Sequence, residues 1–190
     1  MSQREDLLAG AKKCLIDKGY SRTTARDIAA VSGAHLASIG YHFGSKDNLM
    51  NTAVLAAVEE WGDKIEAAVD AADAVTPEQR LEVFLDGLFA AVERDRELMA
   101  ASVQAYAQAQ FEDALREPLA EAYARGRRTL AAMVLGVRPE EVDEEAAGSV
   151  GATVHSMIAG FVLQSLLAPG SLPSAARVSA ALRVLAGAHG

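Results

Sequence analysis

A single cysteine, Cys14, rules out an internal disulfide, and no Cys/His cluster has the spacing of a zinc site. Such cysteine usage suits a reducing compartment, and a cytoplasmic location is expected. Aromatic residues are scarce at 5% of the 190 residues, while apolar residues of all kinds reach 51%. A core of alanine and aliphatic side chains favours closely packed helices. No segment alternates apolar and polar residues at the period of two that marks a half-buried strand, and no fixed-period repeat is present. Long hydrophobic runs are missing too. The first residues, Met1 to Leu8, are charged, and the longest apolar stretch, Met157 to Ala168, contains Gly160, Gln164 and Ser165. It falls short of the roughly 20 apolar residues a bilayer span needs, so no membrane association is expected.

Catalytic patterns are also lacking. The histidines His35, His42, His155 and His189 have no nucleophile motif around them, and no glycine-rich phosphate loop follows a strand. The paired carboxylates Glu140 and Glu141 sit in a charged turn. The expectation is a protein that is not an enzyme and carries no cofactor and no metal.

The net charge of -8 argues against a nucleic-acid partner, because neutralising phosphates takes Lys and Arg. Its distribution points the other way for one segment. Residues 1–50 carry a charge of +2 and the rest of the chain -10. Such asymmetry suggests that only the N-terminal quarter meets a polyanion.

Helical periodicity accounts for the whole chain. Leu7, Leu8, Ala11, Leu15 and Ile16 form one apolar face, and Gly19 supplies a stop. Thr24 with Asp27 three residues on resembles a capping box for a second, short helix ending at Gly33. Leu36, Ile39 and Phe43 mark a third that stops at Gly44, and Ser45 can cap a fourth running from Lys46 towards Ala72. Thr76-Pro77-Glu78-Gln79 is a strong start signal for a fifth, with Leu81, Phe84, Leu85, Leu88, Phe89 and Val92 as its stripe. A sixth is expected over Leu98 to Gln110 and a seventh over Phe111 to Leu135, where Pro118 kinks the chain or marks a late start. An apolar eighth covers Glu144 to Leu167, and a ninth follows the Pro169 to Pro173 loop, from Ser174 to Ala188.

Two short helices joined by a tight turn, behind a basic first helix, are the arrangement that lays a recognition helix in the major groove. The residues themselves are more specific. Thr24-Ala25-Arg26-Asp27-Ile28-Ala29-Ala30-Val31-Ser32-Gly33, followed by Ile39-Gly40-Tyr41-His42-Phe43-Gly44-Ser45-Lys46-Asp47-Asn48-Leu49, closely resembles the signature of the TetR family. The match covers about a quarter of the chain.

That resemblance implies an all-α protein of about nine helices: an N-terminal three-helix helix-turn-helix domain over 1–48 and a helical ligand-binding and dimerisation domain over 49–190. It implies a recognition helix from about Ala34 to Tyr41, with Ile39 and Phe43 turned inward. Tyr41, His42 and Lys46 match positions that hold the phosphate backbone, and Thr24 matches a helix-start position beside it. Arg26 matches a position that can reach a base edge, where a guanidinium suits guanine, and Leu36, Ala37 and Ser38 fall on base-facing positions. Two departures stand out. Ala34-His35 replaces the usual Val-Ser, so a hydroxyl cap is lost, and Gly40 replaces an aromatic at about 1 kcal/mol of helix propensity.

Trp61, Phe84, Phe89, Tyr106, Tyr123 and Phe161 are candidates to line a cavity for a small, largely apolar effector, and the resemblance implies a pocket framed by helices four to eight. His155 and Gln164 are polar positions in an apolar helix and candidates to orient that ligand. A satisfied core or interface histidine accounts for His155 equally well. Gly148, Ser149, Gly151, Ala152, Ser156, Ala159 and Gly160 give the eighth helix a small-residue surface. With the last helix it could form a homodimer's four-helix bundle, as the resemblance implies. The function implied is a DNA-binding transcriptional regulator: a ligand-released repressor that binds double-stranded DNA at an inverted-repeat operator as a dimer. The alternative from another class is a helical protein-interaction adaptor without DNA binding, working through its acidic second domain.

Overall fold

The computed structural model describes residues 2–72, 74–111 and 113–187, apart from the side chains at 61, 65 and 114. Among the described residues the fold is all-helical, with no strand. The helices are α1 (Gln3–Lys18), α2 (Ala25–Ser32), α3 (Ala37–Phe43), α4 (Lys46–Asp70), α5 (Pro77–Arg94), α6 (Arg96–Gln108), α7 (Asp113–Leu135), α8 (Glu144–Leu167) and α9 (Ala175–Leu185). A 3₁₀ turn, Pro139–Glu141, precedes α8. The chain packs as two compact units, Met1–Trp61 with Asp95–Ala120, and Gly62–Arg94 with Glu121–Gly190.

In the first unit α1 starts on a reciprocal cap, Glu5 N–H to Ser2 Oγ at 3.3 Å and Ser2 N–H to Glu5 Oε2 at 2.8 Å. It ends where Gly19 N–H returns to the Leu15 carbonyl. Leu7, Ala11, Cys14 and Leu15 form its buried stripe, with Ile28 of α2, Ile39 of α3 and Leu49, Met50 and Val54 of α4 also buried. Burial pushes the Cys14 thiol up, which keeps it protonated. Thr23 is buried and its hydroxyl donates to the Gly19 carbonyl at 2.8 Å, fastening the turn before α2. The backbones of α1 and α2 approach closely at Gly10: a Cβ there would stand 2.8 Å from Ser32 Cβ and 3.2 Å from the Ile28 carbonyl oxygen. Gly33 then adopts φ 70°, a left-handed conformation that glycine takes without a Cβ penalty, and turns the chain towards α3.

Two elements depart from expectation. No side chain caps α3, and its first turn is held by Ser38 N–H to the His35 carbonyl at 2.9 Å and Ile39 N–H to Leu36 at 3.2 Å. The helix consequently begins at Ala37 and not at Ala34, as a missing hydroxyl cap allows. Pro118 lies inside α7 and does not start it, removing one backbone donor from a helix that continues around it.

In the second unit, α5 begins on the cap expected from sequence, with Gln79 N–H to Thr76 Oγ1 at 3.2 Å and Thr76 N–H to Gln79 Oε1 at 3.0 Å. Arg183 of α9 donates to Glu78 at 2.5 Å, and α5 packs on both α8 and α9. Ala131 and Ala132 of α7 form a small core with Val142 and Ala147. Arg128 ties α7 to the following segment through the Val142 carbonyl and Glu144. One π-helical turn, Ala147–Gly151, interrupts α8. The interruption does not end the helix, which runs for 24 residues and is long and apolar enough, by length and composition alone, to cross a membrane. Counting from Met157 underestimates it, because the small residues on its N-terminal side continue the same apolar helix.

The glycines of the first unit make a paired test. Gly10→Ala should lower stability by roughly 1–2 kcal/mol, since overpacking outweighs the gain in helix propensity. Gly40→Ala, where a Cβ meets nothing within 4 Å, should raise it by about 0.5–1 kcal/mol. Urea midpoints of the two variants against the parent check both signs.

Candidate nucleic-acid interface and effector region

The candidate reading face is assembled on the start of α2. Thr24 and Asp27 cap each other: Asp27 N–H donates to Thr24 Oγ1 at 3.2 Å, Thr24 N–H donates to Asp27 Oδ2 at 2.9 Å, and the hydroxyl donates to the same oxygen at 2.7 Å. Lys18 of α1 donates to the other carboxylate oxygen at 2.6 Å. These hydrogen bonds, Lys18 first and Thr24 next, hold the Asp27 carboxyl well below the usual carboxylate range. Both Thr24 donors are thereby committed to Asp27, so Thr24 acts on its surroundings through the helix terminus it caps. Arg26 projects beside them, exposed.

On α3, Leu36 (47% exposed) and Ala37 face solvent, Ser38 is half-buried, and Ile39 is buried at 4%. Phe43 is half-buried and lies under the Arg4 guanidinium, 5.1 Å from the ring centroid. Tyr41 is 86% exposed, its ring edge-on to that of His42 at 4.8 Å. Gly44 ends the helix, and Ser45 Oγ accepts from Asn48 N–H at 3.0 Å to start α4. Lys46 then sits with its ammonium 5.5 Å over the Tyr20 ring and 2.8 Å from Asp47. Tyr20 in turn donates to Asn51 at 2.8 Å. The eight residues singled out from sequence therefore occupy the start of α2, the length of α3 and the start of α4 in a single unit, with Thr24, Arg26, Leu36, Ala37 and Tyr41 exposed and Ser38, His42 and Lys46 half-buried. A phosphate at Lys46 has to compete with Asp47.

Sequence reasoning missed two neighbours. Ser38 Oγ donates to Gln3 Oε1 at 3.2 Å, and Arg4 stacks on Phe43. The first turn of α1 thus stands beside the candidate reading helix, with Gln3 an amide next to Ser38, a candidate base-facing residue. Both residues precede the recognisable signature, and nothing in their spacing marks them.

The effector candidates are dispersed. Phe84 is core, at 4% exposure, and Tyr106 lies on α6 of the first unit, 43% exposed. Trp61 falls outside the described side chains. The other four form two pairs in the second unit: Phe89 meets Phe161 edge-on at 5.1 Å, and Tyr123 meets His155 at 4.3 Å. Phe161 also borders an open groove of about 570 Å³ along α8, lined with Ala152, Thr153, Ser156, Met157, Gly160 and Gln164. The small-residue surface of α8 is therefore divided. Gly151 turns to α7, where a Cβ would overlap the Arg127 carbonyl, while Ala152, Ser156 and Gly160 open to the groove.

Comparison with known proteins agrees with this architecture. Residues 7–53 match the family described as bacterial regulatory proteins, tetR family, and residues 77–189 match the family described as BetI-type transcriptional repressor, C-terminal. The chain is 27% identical over 164 residues to the HTH-type transcriptional regulator BetI of Rhizobium meliloti, covering 86% of this chain and 78% of that protein. Over 48 residues it is 35% identical to the HTH-type transcriptional repressor AcnR of Corynebacterium glutamicum, which spans 25% of this chain and 26% of that one. In fold it resembles a TetR transcription regulator from Haloarcula marismortui, with a TM-score of 0.65 at 21% identity, covering 98% of this chain and 95% of that one. It also resembles a Saccharomonospora viridis regulator solved in complex with choline, with a TM-score of 0.60 at 20% identity, covering 97% and 95%.

Two expectations follow from this geometry. Lys46→Ala and Tyr41→Ala should weaken binding to all duplexes about equally. Arg26→Ala should cost about 1–3 kcal/mol and relax preference at one position of each half-site. Gel shifts on a panel of point-substituted sites separate the two behaviours. Because the folded Asp27 pKa lies below its unfolded value, its contribution to stability is fully present above the unfolded carboxylate value near pH 4 and lost as pH falls from there. Asp27→Asn should flatten that part of the acid limb in melts followed by circular dichroism.

Proposed function

Because this chain belongs to the tetR family of bacterial regulatory proteins and is a DNA-binding transcriptional regulator, not an enzyme, we propose that it is a repressor that binds an inverted-repeat operator as a homodimer and is released by a small effector. The observation that carries the reading is the reading face itself. Arg26, Leu36, Ala37 and Ser38 stand together at the starts of α2 and α3, flanked by Tyr41, His42 and Lys46, in an N-terminal segment, residues 1–50, that carries +2 in an acidic chain. Residues 1–48 are assigned the DNA-binding function and 49–190 the ligand-binding and dimerisation functions. The site of action is cytoplasmic, where such an operator is reached.

Tyr41, His42 and Lys46 position the module on phosphates, with Thr24 presenting the α2 terminus, whose orphan N–H groups favour an anion. Arg26 reads an acceptor pair such as guanine, while Leu36 and Ala37 supply apolar contact to thymine methyl groups. Dimerisation is assigned to α8 and α9. Leu163, Leu167, Val184 and Leu185 are large apolar side chains left exposed near their ends, and the small residues of the α8 groove permit a second helix to approach closely. A twofold dimer presents two reading faces in opposite orientation, which makes an inverted repeat the matching site.

Release requires the effector to prefer one state. An effector that lowers operator affinity tenfold must itself bind the operator-bound form tenfold more weakly, a coupling of about 1.4 kcal/mol. α4 is the covalent route for such coupling, one 25-residue helix that begins at the phosphate-facing Lys46.

Selection from random duplexes should enrich an inverted repeat, and binding should fall with salt along a shallow slope because few basic groups are available. Leu163→Glu, at an exposed position of α8, should leave the helical signal intact, give a monomer in sedimentation, and reduce operator affinity by at least tenfold. A dimer that survives this change with full affinity moves the interface elsewhere, and enrichment of no repeat removes the operator reading.

A further inference from the structure

Three arginines, Arg125, Arg127 and Arg128, lie within about one turn of α7, and two of them have carboxylate partners: Arg125 faces Glu121 at 4.0 Å, and Arg128 binds Glu144 and the Val142 carbonyl. Arg127 between them does not. Its Nε is buried without a protein acceptor, and among the described residues no carboxylate lies within ion-pair distance of it, although this part of the chain is rich in Asp and Glu. The guanidinium instead lies 4.8 Å over the Tyr123 ring, whose other neighbour is His155 of α8 at 4.3 Å. All three side chains are half-buried and remain reachable from solvent. A half-buried cation without a counter-charge is a costly arrangement, and such groups are normally paired.

The backbone is shaped around the same place. The π-helical turn Ala147–Gly151 brings α8 against α7 where a Cβ at Gly151 would stand 2.8 Å from the Arg127 carbonyl carbon. One turn later His155 meets Tyr123, and Gly126 leaves room beside it, its Cβ position 3.9 Å from His155 Cδ2. π-turns are rare and recur at functional sites. Burial first, and the Arg127 charge second, push the His155 pKa down, so the imidazole is neutral and keeps one donor and one acceptor. A planar guanidinium with open donor edges, beside a neutral imidazole and a phenol, matches the flat oxygen pair of a carboxylate or the oxygens of a phosphate.

We propose that Arg127, Tyr123 and His155 form the recognition point for an anionic oxygen group, a carboxylate or phosphate, on the effector of this regulator. The inference rests on the effector-released reading above and deepens it by stating the charge of the molecule. A quaternary ammonium such as the choline held by the Saccharomonospora viridis neighbour would meet a cation here, with the face of Tyr123 already taken by that cation. Arg127 supplies charge and direction, and His155 a further hydrogen bond.

The test is calorimetric titration of the full-length protein with benzoate, octanoate, inorganic phosphate and choline at equal ionic strength, followed by operator gel shifts with each. One carboxylate or phosphate probe is expected to bind once per chain and choline not to bind. Preference between carboxylate and phosphate probes then identifies the source of the anionic group. Arg127→Gln should weaken the anion at least tenfold, and Arg127→Lys, which keeps the charge but loses the flat donor edge, should weaken it less. Arg125→Gln, on the same helix and outside the cluster, should leave it unchanged. If Arg127→Gln does not fold, the Arg127→Lys and Arg125→Gln comparison decides the matter alone. Binding of no anion, anion binding indifferent to Arg127, or choline binding in its place overturns the proposal. Choline that also releases the operator would overturn this inference and leave the effector-released reading standing, whereas an Arg127-dependent anion that leaves operator affinity unchanged would support the site and count against release.

Discussion

The first unit depends on how closely two helix backbones can lie. At Gly10 the side of α1 meets Ser32 and the Ile28 carbonyl of α2 with no space for a methyl group. That contact sets the depth of α2, and Gly33, directly after it, sets the direction in which the chain leaves. α3 inherits both. It has only seven residues, no side-chain cap and one fully buried apolar anchor, Ile39, so its own local energetics contribute little to where it lies. The exposure of Leu36 and Ala37 at the start of α3, with Ser38 half-buried beside them, follows from packing behind them.

Charge completes what packing begins. Lys18, Asp27 and Thr24 join the last turn of α1 to the first turn of α2, so the helix start that presents Arg26 is held by groups on both helices. Exposed ion pairs of this kind contribute little singly. Here the carboxylate also closes a capping box, which satisfies N–H groups that would otherwise be orphaned. Around it the chain sets few cations, and several are engaged by neighbours, Lys46 by Asp47 and Lys12 by Glu60. The segment is only modestly positive, at +2 over residues 1–50, so the proposed recognition relies on shape and a few directed groups more than on bulk attraction.

The second unit repeats the reliance on small residues with a different outcome. Gly151 lets α8 settle onto the backbone of α7 at Arg127, and the π-turn there absorbs the local change in helical register. The stripe of glycine, alanine and serine on α8 consequently serves two surfaces, one closed within the unit and one open along the groove. The same crossing leaves Arg127 half-buried against Tyr123 and away from the carboxylates that engage its neighbours. An aromatic pair and a guanidinium with no ion-pair partner among the described residues follow, in one small region, from a single close approach.

Much of this was legible in the sequence because the decisive signals are local. Capping at Thr24-Asp27 and Thr76-Gln79, stops at Gly19, Gly33 and Gly44, and apolar periods of 3.6 report on groups within four residues of one another, and the helices follow them closely. The charged N-terminal quarter and its signature likewise mark the candidate reading face without reference to anything distant. Tertiary structure decided what depends on residues far apart in the chain. Gln3 reached Ser38 across 35 positions, Gly151 turned to α7 and not to the open groove, and the six described effector candidates separated into core, surface and two aromatic pairs. Helical period gives the same weight to any apolar residue on a buried stripe, and only the crossing of one backbone over another determines which of them meet, and which charged group is left among them without a partner.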